Sequence, residues 1–354
     1  MSAPIAHGGG ITAAAAAFGG RPQDWLDLST GINPCPLALP EIPTRAWHRL
    51  PDSYLVDEAR RGARDYYGSG AILPLPVPGT QSVIQLLPRL LRQGRQLGVT
   101  DERVAATEDK VAVADNRIAV VSPTYGEYAR AFASAGFAVD AVNDIAAIGG
   151  QYRLAVVVNP NNPDGRTWPA EALAALHDRM KSADGLLVVD EAFGDTDPAL
   201  SLAARAPELS NLIIFRSFGK FFGLAGLRLG FAIAREDILA RIEDWLGPWA
   251  VSGPALSLAA SLFGSDVAAI RRSLDERSAA LQAALSAAGL RIRGGTALFT
   301  LVADSRASDI YTHLCRHHIL VRKFDYAPDW LRFGLTPDSA ANRRLGAALQ
   351  GFER

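Results

Sequence analysis

Lys220 stands in SFGKFFGLAGLRLG, residues 217–230, between Gly219 and Phe221-Phe222, with Arg228 the only other charged residue of the stretch. A lone lysine is by default a solvated surface amine. Set among phenylalanines and glycines, it meets a different demand: burial disfavours the ammonium, and the neutral amine is a nucleophile for an aldehyde. The chemistry open to it is Schiff-base formation, and the usual aldehyde cofactor is pyridoxal 5′-phosphate.

That cofactor makes demands elsewhere in the chain. Its pyridinium nitrogen needs a carboxylate partner, and Asp190 ends the apolar run of LLVVDEAF; taken alone, this aspartate reads as a helix N-cap. Its phenolic oxygen needs a donor, which Asn162 of NPNNPDGR could supply, although an Asn-Pro turn explains the same residues. Its ring face needs a partner, and Tyr125 of SPTYGEY is either that or a core tyrosine. Its phosphate needs backbone N–H groups at a helix start. Gly79, Thr80 and Gln81 precede an apolar-periodic helix in PGTQSVIQLLPRLL. Ser217 and Arg228, the latter otherwise a surface ion-pair residue, would complete the phosphate site. Each feature is modest alone; the ordered set fits one cofactor.

Elements that place these residues can be read from hydropathy. Ile118–Val121, Leu154–Val158, Leu186–Val189 and Leu212–Phe215 are continuous apolar runs, the pattern of strands covered on both faces. Helical patterns over 127–135 and 169–181 separate them, so the chain is expected to be α/β with a mostly parallel sheet. Ligands in such sheets bind beyond the carboxyl ends of the strands, where Tyr125, Asn162, Asp190 and Lys220 would converge. After Ser252 the expectation changes to a smaller α+β lobe: helices over 255–263, 268–288 and 340–352, and strands over 296–302, 319–321 and 330–333. Residues 92–117 are polar and read as a surface excursion.

Composition narrows the function classes. The 354 residues are 49% hydrophobic, enough for a sizeable core, and 36 Lys+Arg against 37 Asp+Glu give a net charge of −1. No charge excess points to nucleic acid or an anionic membrane. Two distant cysteines, Cys35 and Cys315, are no disulfide framework and suit a reducing compartment. The Ala13–Ala17 run is too short for a span and has no basic residue before it, so a cytoplasmic protein is expected. No metal is expected.

NPNNPDG, DEAF and SFGKFFGLAGLRLG resemble the motifs of fold-type I pyridoxal-phosphate enzymes, the aspartate-aminotransferase superfamily, with the histidinol-phosphate aminotransferase branch close by. HGGGITAAAAAFGG, LDLSTGINPCP, WHRLPD, ILVRKFD and WLRFGL resemble the threonine-phosphate decarboxylases of cobalamin biosynthesis. The resemblance implies a large αβα domain with a mostly parallel sheet over 45–250, a smaller α+β domain over 251–354, and residues 1–44 as a substrate-contacting segment of the small lobe. It further implies Lys220 as the cofactor lysine, Asp190 on the pyridinium, Asn162 on the ring oxygen and Tyr125 on the ring face. Gly79, Thr80, Gln81, Ser217 and Arg228 would hold the cofactor phosphate. His7, Gly8, Asn33, Asn162, Arg322 and Arg332 would face a substrate carrying carboxylate and phosphate; without the match, HGGG is as readily a loose tail. The implied reaction is decarboxylation of L-threonine O-3-phosphate in a homodimer. A transaminase such as histidinol-phosphate aminotransferase is the alternative, and a non-catalytic cofactor-binding regulator a remote one.

Some positions depart from the family pattern. Phe193 stands where many relatives carry a tyrosine on the ring oxygen, and Gly219 where transaminases often carry a serine. Leu50 replaces a tyrosine that reaches the neighbouring subunit, with Tyr54 a candidate substitute, and Asp164 replaces a threonine.

Overall fold

The computed structural model describes residues 5, 7–35, 37–94 and 116–352. Most of the excursion expected over 92–117 lies outside them; residues 92–94 close the helix Leu87–Gly94 and Arg117 opens a strand.

Seven strands form the larger sheet: β2 (Leu75–Val77), β3 (Arg117–Val121), β4 (Ala138–Val142), β5 (Leu154–Val158), β6 (Leu186–Asp190), β7 (Leu212–Ser217) and β8 (Gly230–Ala234). Their order is β2-β8-β7-β6-β5-β3-β4, and every neighbouring pair is parallel except those made by β8. The continuous apolar runs have a direct cause. Ala155, Val157, Leu187 and Val189 enter one hydrophobic cluster, whereas Leu154, Val156, Val158 and Val188 enter the other. Successive side chains point to opposite faces, and both faces are covered, so neither position tolerates a polar residue.

The smaller sheet has the order β1-β11-β12-β10-β9, with β1 (Leu26–Leu28), β9 (Arg291–Thr296), β10 (Phe299–Ala303), β11 (Ile319–Phe324) and β12 (Ala327–Gly334). β1 runs parallel to β11; the other pairs are antiparallel. The single strand expected over 296–302 is instead a hairpin turning at residues 297–298, where the Leu298 N–H donates to Thr296 Oγ1 (3.1 Å). Helices Gly253–Leu262, Val267–Ala287 and Ser339–Gln350 lie where the periodicity placed them, within a few residues. No single helix among the described residues is long and apolar enough to cross a membrane.

The carboxyl ends of β5, β6 and β7 open on a cavity of about 490 Å³, with β11 and β12 contributing its opposite wall.

Candidate active site

Lys220 sits on the one-turn helix Phe218–Phe221 that follows β7. The neighbouring phenylalanines are anchors. Phe218, Phe221 and Phe222 are fully buried; Phe218 stacks on Phe222 at 4.5 Å, and Phe263 meets Phe218 edge-on at 5.4 Å. The turn is therefore rigid, and its lysine projects into the cavity, with Nζ 5.9 Å from the Phe193 ring centroid. Burial, followed by the charges of Arg332 and Arg228, lowers the Lys220 ammonium from 10.5 to about 8, against the pull of Asp190. Gly219 cannot carry the serine of transaminases: a Cβ there would lie 2.7 Å from Ala225 Cα.

Asp190 ends β6 and is buried. The Tyr128 hydroxyl donates to its Oδ2 (2.7 Å) and the Ala192 N–H to its Oδ1 (2.9 Å). Desolvation raises its proton affinity; these two bonds and Lys220 oppose the rise. Tyr125 lines the same cavity, its hydroxyl donating to Gln81 Oε1 (3.0 Å). The Gln81 amide in turn donates to Glu127 Oε2 (3.0 Å), and His7 Nε2 lies 3.1 Å from Glu127 Oε1. The N-terminal segment thus reaches the cavity through His7, whose ring is 5.9 Å from that of Tyr125.

Gly79, Thr80 and the same Gln81 open the helix Thr80–Ile84 at the cavity, which Ser217 and Arg228 also line. Gly79 has φ +75°, a conformation that favours glycine, and a Cβ there would meet Arg228 Nη2 at 2.7 Å, so a larger residue would displace the guanidinium.

The NPNNPDG asparagines divide their work. Asn159 bonds both backbone groups of Trp168, and Asn161 bonds the Pro123 carbonyl and Asp164. Asp164 also accepts the Arg166 N–H, so it braces the turn. Of these asparagines, Asn162 alone lines the cavity, and its Oδ1 accepts from Arg332 Nη1. Arg332 donates its Nη2 to the Ser29 carbonyl (3.0 Å), while its buried Nε has no partner among the described residues. Burial and Arg322 lower its proton affinity to about 10. Arg322 lines the cavity as well, packed over Phe324 at 5.3 Å.

One expected substrate residue is elsewhere. Asn33 does not line the cavity: its amide donates to the Phe221 carbonyl (2.9 Å), its oxygen accepts the Cys35 N–H, and its own N–H bonds the Lys220 carbonyl. It braces the lysine turn from behind. His7 and Gly8 do line the cavity. A Cβ at Gly8 would collide with the Ser29 carbonyl at 2.4 Å, so this approach requires glycine. Leu50 is exposed, and Tyr54, under Arg45 at 4.7 Å, does not line this chain's cavity.

The residues present suit a pyridine ring that bears an aldehyde and a phosphate. A neutralisable amine, a buried carboxylate, an amide, an aromatic face and a glycine-arginine cradle share one cavity, and two further guanidinium groups, Arg322 and Arg332, line it. The family model for aminotransferase class I and II matches residues 23–349.

The chain belongs to the class I and II aminotransferase family.

Within that family it is 58% identical over 353 residues to a threonine-phosphate decarboxylase of Sinorhizobium sp, covering 100% of both chains. It is 40% identical to the threonine-phosphate decarboxylase of Pseudomonas aeruginosa, over 99% of this chain and 98% of that one. Among solved structures, the histidinol-phosphate aminotransferase of Sinorhizobium meliloti in complex with pyridoxal-5′-phosphate superposes with a TM-score of 0.77 at 18% identity, covering 99% of this chain and 95% of the other. This last likeness establishes the aminotransferase fold.

Three site residues escape sequence reasoning: Tyr128, Glu127 and Tyr326. Tyr128 lies in the first turn of the helix Glu127–Ser134, whereas Tyr125 precedes that helix, so no helical spacing tied the two together in the sequence. Glu127 is buried, a rare state for a glutamate, but nothing in SPTYGEY announces it. Tyr326 lies in the turn between β11 and β12 and lines the cavity beside Arg322 and Arg332.

Proposed function

We propose that this protein is a pyridoxal-phosphate-dependent decarboxylase that converts L-threonine O-3-phosphate into (R)-1-amino-2-propanol phosphate and carbon dioxide, in cobalamin biosynthesis. The observation that carries the reading is the 58% identity, over the whole chain, to a threonine-phosphate decarboxylase. Three arginines line the cavity; with Arg228 given to the cofactor phosphate, Arg322 and Arg332 are left for a substrate with two anionic groups.

When bound, the cofactor supplies an electron sink for the electron pair of a bond broken at the substrate's α-carbon. Lys220 would hold the cofactor and, as carbon dioxide leaves with the carboxylate carbon, return a proton to the α-carbon. Asp190 would keep the ring nitrogen protonated, Asn162 Nδ2 would donate to the ring oxygen, and Tyr125 would cover one face. Gly79, Thr80, Gln81, Ser217 and Arg228 would bind the cofactor phosphate. Arg332, Arg322 and the His7-Gly8 segment would bind the substrate's anions. Their division between carboxylate and phosphate selects which α-carbon bond stands perpendicular to the ring, and hence decarboxylation over transamination. The protein would work as a cytoplasmic homodimer, with its chain divided near residues 44 and 250.

The test supplies purified protein and cofactor with L-threonine O-3-phosphate in one reaction, and with histidinol phosphate and 2-oxoglutarate in another. Carbon dioxide and amino-propanol phosphate are expected from the first. Glutamate from the second with nothing from the first would make the protein a transaminase.

A further inference from the structure

Asp190 is gripped from behind at both oxygens. The Ala192 N–H takes Oδ1, and the hydroxyl of Tyr128 takes Oδ2 at 2.7 Å. Tyr128 is fully buried, and its phenol is pushed well above its ordinary range by burial and by Asp190, so toward this carboxylate it acts only as a donor. The remaining charges about Asp190 are Lys220, which favours its ionised form, and Glu191, which opposes it. Tyr128 also meets Tyr125 edge-on, with ring centroids 6.4 Å apart at 82°. Tyr125, in the loop before the helix Glu127–Ser134, thus lines the cavity, while Tyr128, in the first turn of that helix, holds the cavity's carboxylate.

We infer that Tyr128 is a positioning residue that keeps Asp190 ionised and aimed into the cavity, and so governs how fully a bound pyridine ring is protonated. The inference rests on the reading of the cavity as a pyridoxal-phosphate site. A carboxylate stripped of water holds its charge through the hydrogen bonds it accepts. Without the Tyr128 hydroxyl, Asp190 becomes more basic, draws the shared proton away from the ring nitrogen, and leaves the ring a poorer acceptor of electrons. The Ala192 bond alone fixes one oxygen and leaves the other free to turn.

The experiment compares wild type with Tyr128→Phe, each loaded with pyridoxal phosphate isotopically labelled at the ring nitrogen and followed by NMR, with cofactor affinity measured separately by equilibrium dialysis. Wild type is expected to show a pyridinium nitrogen. In Tyr128→Phe the resonance should move toward neutral pyridine, and the cofactor dissociation constant should rise about tenfold, the scale of one hydrogen bond to a charged group. Global loosening would not move the nitrogen resonance in that direction. An unchanged resonance and affinity in Tyr128→Phe, with wild type loaded on Lys220, would overturn the inference and leave the cofactor reading intact. Wild type that binds no cofactor would overturn both. Should Tyr128→Phe not fold, 3-fluorotyrosine at position 128 serves instead: its fluorine resonance should shift when cofactor is added, and indifference to the cofactor would reject the role.

Discussion

Arg322 and Arg332 stand directly opposite one another across the antiparallel ladder of β11 and β12, and both line the cavity. Like charges so placed repel. Arg332 spends its hydrogen bonds on neutral oxygens, Asn162 Oδ1 and the Ser29 carbonyl, and among the described residues its buried Nε has no partner. The pair is thus a positive well built into rigid strands, which an anionic substrate would relieve.

Arg332→Lys tests that well. A lysine keeps the charge but presents a point donor where the guanidinium reaches both Asn162 and Ser29 and, on the proposed function, would also meet an anion. The value of kcat/KM for L-threonine O-3-phosphate is expected to fall about 100-fold, the cost of one or two charge-assisted bonds. Steady-state kinetics measures it, and activity within a factor of two of wild type would remove Arg332 from substrate binding.

Lys220 sets a pH dependence. Its ammonium is lowered from 10.5 to about 8 in the folded protein. The neutral amine captures an aldehyde, so covalent capture of pyridoxal phosphate by apoprotein should quicken roughly tenfold per pH unit below this value and level off above it. Stopped-flow absorbance would record the profile. The same shift means that the unfolded chain binds more protons between about 8 and 10.5, so this group makes apoprotein stability rise with pH across that window. A capture rate that keeps climbing to pH 10 would contradict the lowered value.

Arg216, near the carboxyl end of β7, is tied to the segment that follows β6. It donates to Glu191 (2.5 Å) and to Asp195 (2.6 Å), all three side chains being buried. Glu191 also accepts from Ser201 and the Leu202 N–H. Arg216→Met leaves two carboxylates buried without their cation, at an expected cost of about 3–5 kcal/mol in urea unfolding. A loss below about 1 kcal/mol would show that the network is dispensable.

Gly79→Ala combines a left-handed backbone with a collision at Arg228. Cofactor affinity is expected to drop at least tenfold while the apoprotein still folds, since the clash falls on a side-chain terminus. Equilibrium dialysis and circular dichroism separate the two effects; unaltered affinity would mean that Arg228 swings away without consequence.

The strand-end residues were legible because a strand covered on both faces has no room for polar side chains until it leaves the sheet. Asp190 and Ser217 stand where β6 and β7 end, and Asn162 and Lys220 lie within four residues of the ends of β5 and β7. Asn33 was not legible as a brace. Its partner, the Phe221 carbonyl, is 188 residues away, and an asparagine serves a ligand or a backbone equally well. The β9–β10 hairpin was missed because Gly294-Gly295, which carry no side chain to mark alternation, lie in β9 against β10. β8 was hidden in the apolar continuation of the lysine loop, where the left-handed Arg228 (φ 51°) precedes the reversed strand. Tyr128 looked like any core residue of a helix, because its hydroxyl acquires meaning only from Asp190, 62 residues later.

The most direct measurement of the central claim is NMR of the cofactor-loaded protein turning over L-threonine O-3-phosphate in heavy water. Cleavage of the α-carbon–carboxylate bond leaves the original α-hydrogen in place and adds one proton from solvent. The expected result is amino-propanol phosphate carrying a single deuterium at the former α-carbon, with equimolar carbon dioxide and no 2-oxo acid. Deuterium in unreacted substrate together with a 2-oxo acid product would instead show that the α-hydrogen is the group removed, and would contradict decarboxylation.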